Sequence, residues 1–169
     1  MQRTRIYLVR HGQVEGYQQK RYNGQINVRL TELGKKQSER ICACLADVAL
    51  DAIYSSDLDR SRYCARLIAD DHGLVVVAEE ALREINFGDW EGRTWVELQE
   101  SYPDDWQKRL QDLTNYKVPG GESLQDAADR IRTVIRSILQ KHSNGDLALV
   151  ANGGVNRIIL LDAIGAALE

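Results

Sequence analysis

Four short runs along the chain are almost continuously apolar: Arg5–Arg10 (RIYLVR), Ala52–Ser55 (AIYS), Leu74–Ala78 (LVVVA) and Leu147–Ala151 (LALVA). Runs this short, without polar alternation, are expected of strands covered on both faces in a parallel sheet. Between them apolar positions recur at helical spacing. Leu124, Ala127, Ala128, Ile131, Val134, Ile135 and Ile138 share one face, behind a capping Ser123. Thr31 is placed to cap a helix running towards Asp47, and Leu58 to His72 forms another, stopped by Gly73. The segment Thr94 to Leu113 predicts two short helices, the second with Pro103 in its first turn, and a last helix follows Gly153–Gly154 through Ile164. Strands alternating with helices predict an α/β fold: a three-layer α/β/α sandwich around a mostly parallel sheet, with right-handed crossovers.

Length and composition narrow this further. A chain of 169 residues reads as a single domain over 1–169, large enough to bury a core without disulfide or metal staples. A formal charge of −3 supplies no general attraction to nucleic acid or membrane, so any anion site depends on locally placed arginines. The apolar run Ile6–Val9 is too brief for a secretory signal, and no stretch is long enough to cross a bilayer. Cys42, Cys44 and Cys64 read as small core residues of a reducing compartment, which points to the cytoplasm. The last helix stops abruptly at Ala-Ala-Leu-Glu, so a further C-terminal element or a cloning scar at Leu168–Glu169 is expected. The sequence is compatible with a homodimer.

Candidate chemistry gathers where the strands end. In open α/β sheets ligands bind beyond the carboxyl ends of the strands. The first strand delivers Arg10-His11-Gly12, the second Ser55-Ser56-Asp57 with Arg60 one helical turn on, and the third leads through Leu82 to Arg83-Glu84. The fourth delivers Asn152-Gly153-Gly154 at the start of a helix. Arginine forks match phosphate oxygens, and glycine-opened helix N-termini bind anions. A neutral histidine can attack phosphorus near neutral pH, and a glutamate can pass a proton to a leaving alkoxide. His72 and His142, at helix ends before glycine-containing turns, read as surface residues compatible with the helix dipole.

These residues also carry a resemblance. LVRHG (Leu8–Gly12) resembles the signature of the histidine phosphatase superfamily, the phosphoglycerate-mutase-like proteins. The likeness continues through NGQINVRLTELG (Asn23–Gly34), YSSDLDRSRYCA (Tyr54–Ala65), LREINFGDWEG (Leu82–Gly92), PGGES (Pro119–Ser123) and NGGVNR (Asn152–Arg157). LREINFGDWEG with PGGES is similar to alpha-ribazole phosphatases. The resemblance implies a cytoplasmic phosphomonoesterase of cobalamin biosynthesis acting on a small-molecule phosphate monoester, with no cofactor and no metal. It implies His11 as the nucleophile, Arg10 and Arg60 as phosphate clamps, Glu84 as general acid, and Asn23 and Gly24 beside the phosphoryl group or substrate.

One position departs from the family. Asn152 stands where a second catalytic histidine is expected. An asparagine amide donates a hydrogen bond but carries no charge, so turnover is expected to fall by one to a few powers of ten, as an order of magnitude. A catalytically inactive phospho-ligand-binding module and a phosphoglycerate mutase are the alternatives. Val14 and Tyr17 replace polar residues after the signature, and Asn27 and Arg29 stand where aspartate and proline are common. Glu84 has Arg83 as an alternative partner, and Arg157 is expected to hold the last helix near the site. Trp90, Trp95 and Trp106 read as packing residues, and Lys20–Arg21 as a solvated face with a secondary reading as an anion-attracting rim.

Overall fold

The computed structural model describes residues 3–168. Its sheet has four parallel strands, β1 (Thr4–Arg10), β2 (Ala52–Ser55), β3 (Val76–Ala78) and β4 (Gly145–Ala151), in the order β1-β4-β2-β3. The helices α1 (Glu32–Leu45), α2 (Asp59–His72), α5 (Leu124–Lys141) and α6 (Gly153–Ile164) cover the faces. Two short helices, α3 (Trp95–Ser101) and α4 (Pro103–Gln111), lie between β3 and α5. No helix among the described residues is long and apolar enough to cross a membrane.

The central strand shows why the apolar runs are continuous. Leu147, Leu149 and Ala151 of β4 enter one core with Ile131, Ile138, Val155 and Ile158 of α5 and α6. Ala148 and Val150, pointing the other way, enter a second core with Ile53, Cys64, Ala65 and Ile68. Alternate residues therefore all need to be apolar. Each fully buried isoleucine contributes about 1.5–3 kcal/mol of transfer free energy.

The helix starts follow their caps. The Thr31 hydroxyl accepts from the Gly34 amide. Thr94 with Glu97, and Ser123 with Asp126, form reciprocal capping boxes, and Pro103 opens α4. The third strand begins at Val76 instead of Leu74, because the Leu74 amide turns back to the Ala69 carbonyl as α2 closes at Gly73.

Two sequence expectations are corrected here. His72 and His142 are not free surface residues. The His72 ring nitrogens lie 2.8 Å from the Ile68 carbonyl oxygen and 3.0 Å from that of Leu45. His142 Nε2 lies 2.9 Å from the Tyr54 hydroxyl. Arg157 is exposed and has no side-chain hydrogen bond or ion pair among the described residues, so it does not tether α6. Glu169, half of the expected scar, lies outside the described residues.

Strand order positions the site. Because β4 inserts between β1 and β2, the carboxyl ends of these three strands meet at one edge. There the His11 amide reaches the Ala151 carbonyl, and the Ser56 amide reaches that of Val150.

Candidate active site

Where β1 ends, Arg10 is exposed and His11 is half-buried. The His11 Nδ1 lies 2.8 Å from the Gly12 carbonyl oxygen. A carbonyl can only accept, so Nδ1 carries the proton and Nε2 keeps its lone pair. Burial pulls the ring from 6.5 down to about 4; the Gly12 hydrogen bond opposes this, and the charges of Arg60 and Arg10 add to it. The ring is neutral at physiological pH.

Arg60, in the first turn of α2, is only 3 % exposed. Its Nε donates to Asn152 Oδ1 at 2.8 Å, and its terminal nitrogens donate to the carbonyls of Ile26 at 2.8 Å and Gly24 at 2.7 Å. Burial lowers its pKa, while Glu84 and Glu91 oppose that shift. A guanidinium has five donors, so two remain for a ligand. The fork is thus partly spent on holding three distant segments together.

Asn152 ends β4 and is fully buried. Its orientation follows from its partners: Oδ1 accepts from Arg60, and Nδ2 donates to the Leu82 carbonyl at 3.3 Å. The two glycines that follow leave room for neighbours. A Cβ on Gly153 would lie 3.2 Å from the Arg10 guanidinium carbon, and one on Gly154 would overlap Glu84 Oε1. The helix N-terminus is occupied by the protein itself, because the Gly154 amide lies 3.1 Å from both oxygens of the Glu84 carboxylate. The Ile85 amide donates to Glu84 Oε1 as well. A carboxylate is the charge a helix N-terminus favours.

The alternative pairing of Glu84 with Arg83 is not found. Arg83 binds Asp57 bidentately and reaches Glu80. The Arg10 side chain makes no hydrogen bond or ion pair among the described residues and lines the cavity beside Gly153.

That cavity has a volume of about 280 Å³. Arg10, His11, Asn23, Gly24, Arg60 and Glu84 all line it, so six of the seven expected site residues meet at one opening. Asn152 lies behind it, in contact through Arg60. The other walls combine aromatic rings with Val14, Lys20 and Arg21. Trp90 and Trp106 are buried as expected, but Trp95 is 43 % exposed and lines the cavity with Tyr17, Tyr22 and Phe87.

Glu91 is a residue the sequence reading missed. Its carboxylate accepts from the amides of Gln25 (2.7 Å), Ile26 (3.1 Å) and Phe87 (3.1 Å), and it fills the space a Cβ on Gly24 would need. It thereby fixes the two carbonyls that hold Arg60. Its place in EGR, directly after Asp89-Trp90, carries no local signal of this role.

Comparison with known proteins places these features among relatives. The family model "Histidine phosphatase superfamily (branch 1)" matches residues 6–169. Phosphoserine phosphatase 1 of Hydrogenobacter thermophilus is 31 % identical over 166 residues, covering 98 % of this chain and 79 % of the relative. Phosphoglycerate mutase-like protein 4 of Arabidopsis thaliana is 32 % identical over 155 residues, covering 90 % and 67 %. The crystal structure of the alpha-ribazole phosphatase from Shigella flexneri superposes with a TM-score of 0.90 at 26 % identity, covering 96 % of this chain and 80 % of that one.

Proposed function

Because the chain belongs to the histidine phosphatase superfamily, branch 1, we propose that it is a phosphomonoesterase working through phosphorylated His11. The observation that carries this reading is the His11 ring: neutral, with Nδ1 committed to Gly12 and Nε2 free, on the wall of a cavity that also holds an unpartnered Arg10. Relatives of this chain are phosphatases or mutases.

In the first step Nε2 attacks phosphorus, a nitrogen–phosphorus bond forms, and the ester oxygen–phosphorus bond breaks. Glu84, entering this step protonated, gives its proton to the departing alkoxide, which leaves as an alcohol, and is left as the carboxylate that the start of α6 favours. In the second step Glu84 takes a proton from water, the resulting hydroxide displaces His11, and inorganic phosphate is released. Splitting one displacement into two lowers each barrier. Arg10 and the two free donors of Arg60 hold charge where the phosphoryl oxygens develop it. Asn23 and the Gly24 backbone complete the rim of the phosphoryl subsite.

Asn152 slows this chemistry. Its Oδ1 is held by Arg60 and one amide hydrogen by Leu82, and it supplies no positive charge to the transferring group. The expected loss is about one to a few powers of ten relative to a histidine at this position. Alpha-ribazole 5′-phosphate, of cobalamin biosynthesis, is the first compound to assay, on the strength of the likeness to the Shigella flexneri enzyme. Its base would extend over the rim towards exposed Trp95.

The test is hydrolysis of a generic aryl phosphate by this chain, by Asn152→His, and by Asn152→His with His11→Ala. Turnover should rise in the first variant and vanish in the second, with an acid-labile phosphoprotein trapped only while His11 is present. Unchanged hydrolysis without His11 would falsify the mechanism. No turnover in Asn152→His, with phosphate still bound by calorimetry, would favour the silent binding module. Transfer between hydroxyls of one substrate without phosphate release would favour the mutase.

A further inference from the structure

The segment between β1 and α1 holds a lysine in an unusual setting. A 3-10 turn, Tyr17–Gln19, is bracketed by two left-handed residues, Gly16 (φ 70°) and Lys20 (φ 50°). Glycine adopts this conformation freely, but a lysine does so against the clash of its Cβ. Lys20 is the sole non-glycine residue with positive φ among those described. Such strain persists only where the surroundings over-determine it, and it collects at ligand-binding sites.

Here the surroundings are explicit. Arg21 Nε donates to Gln19 Oε1, its NH1 donates to the Gly92 carbonyl, and an ion pair joins it to Glu97. The Tyr22 amide donates to Arg93, and the Gly92 amide donates back to Tyr22. The turn is therefore bolted to the start of α3 on the Arg21 side. Lys20 is left projecting at the cavity wall, its ammonium 5.4 Å from the centre of the Trp95 ring. Trp95 also packs on Tyr22, with ring centres 6.1 Å apart.

Unlike that of Arg21, the Lys20 side chain has no acidic partner and no hydrogen bond among the described residues; only its backbone amide donates, to the Tyr17 carbonyl. Glu84 is the sole acid among the side chains lining the cavity, against Arg10, Lys20, Arg21 and Arg60. Arg10 and Arg60 serve the phosphoryl group in the reading above, and Arg21 is spent on Glu97 and Gly92. Lys20 is the cation without a task. The cavity, of about 280 Å³, is open on one side, so Lys20 faces the part of a substrate that lies beyond the phosphoryl group.

We propose that Lys20 is a specificity-determining residue whose ammonium, presented over Trp95, binds a second anionic group on the leaving half of a short phosphate ester. The inference rests on the phosphomonoesterase reading for its substrate class. Trp95 holds the ammonium by its ring face while leaving its N–H donors free, a weak restraint that an incoming anion outbids. The left-handed backbone sets the direction in which the lysine stem leaves the turn.

The test uses a ladder of phosphorylated ω-hydroxyalkanoic acids of two to four carbons, each paired with its uncharged primary amide, with alpha-ribazole 5′-phosphate as a bulky uncharged leaving group. Asn152→His is the background, to raise turnover. At one chain length the acid should exceed its amide by at least about tenfold in kcat/KM, chiefly through KM, while turnover of alpha-ribazole 5′-phosphate should not depend on the Lys20 charge. Lys20→Met should bring the acid-to-amide ratio close to one, and Lys20→Arg should restore most of it. Lys20→Gly, which relieves the left-handed backbone, should raise Tm and still lose the preference.

Equal use of acids and amides, or a ratio insensitive to Lys20→Met, overturns the proposal and leaves the phosphatase reading standing. Failure of every ester to hydrolyse counts against that reading instead. Calorimetric binding of the same pairs then still decides the role of Lys20, since equal affinities for acid and amide overturn it.

Discussion

Mild acidification should leave the His11 ring neutral. A histidine of ordinary pKa would be about nine-tenths protonated at pH 5.5, whereas a ring titrating at about 4 is still almost wholly neutral there. The nucleophile should therefore survive mild acid. The same shift enters stability. The folded ring titrates below its unfolded value of 6.5, so the unfolded chain takes up the proton first. Its full contribution is present above pH 6.5, declines as pH falls towards 4, and levels off below that. The difference corresponds to about 3 kcal/mol of preference for the neutral ring.

Nitrogen-detected NMR on the free protein separates this from protonation of the substrate, whose phosphate titrates near 6. The His11 signal should show an Nδ1–H tautomer and a midpoint well below 5. His11→Ala should flatten the denaturant stability curve between pH 6.5 and 4 relative to the parent. A midpoint between 6 and 7, or a proton resident on Nε2, would refute the reasoning from burial and from the Gly12 contact.

Two further outcomes follow from the geometry. Gly154→Ala places a methyl where Glu84 Oε1 and the Ile85 side chain now lie, so it should displace the carboxylate and cost about 10²-fold or more in kcat with the fold intact by circular dichroism; wild-type turnover in this variant would show that Glu84 needs no support from α6. Glu91→Gln replaces one of two acceptor oxygens with a donor that faces backbone amides, so the urea midpoint should fall by the equivalent of about 1–3 kcal/mol and phosphate affinity should weaken through Arg60. An unchanged midpoint would mean the carboxylate bonds are not holding the 23–26 loop.

Elements governed by local chemistry were readable in the chain. The strand β2 and the caps Thr31 and Ser123 lie where patterning and capping residues place them, because a cap is decided within four residues. The convergence of Arg10, His11, Arg60 and Glu84 was readable too, since strand ends meet wherever parallel strands share a sheet. What escaped depends on contacts between residues far apart. That Arg60 spends three donors on Asn152, Ile26 and Gly24 has no signature in Asp-Arg-Ser. The helix N-terminus suggested an open anion site, but Glu84, seventy residues earlier, already fills it. His72 and His142 looked like surface residues because helix ends usually are, yet carbonyls of Leu45 and Val48 and the Tyr54 hydroxyl close over them.

Tyr22 touches more than the substrate rim. Its ring lies 6.0 Å from that of Trp90, 6.1 Å from Trp95 and 6.5 Å from Trp106, and these are all three tryptophans of the chain. The protein's indole emission thus originates entirely beside the mouth of the cavity, and none of it from the far side of the sheet. Excitation at the red edge of the absorption band addresses this one cluster, with Trp95 the member open to solvent. The molecule carries a built-in optical probe of its own rim, whose colour and anisotropy report who is sitting there.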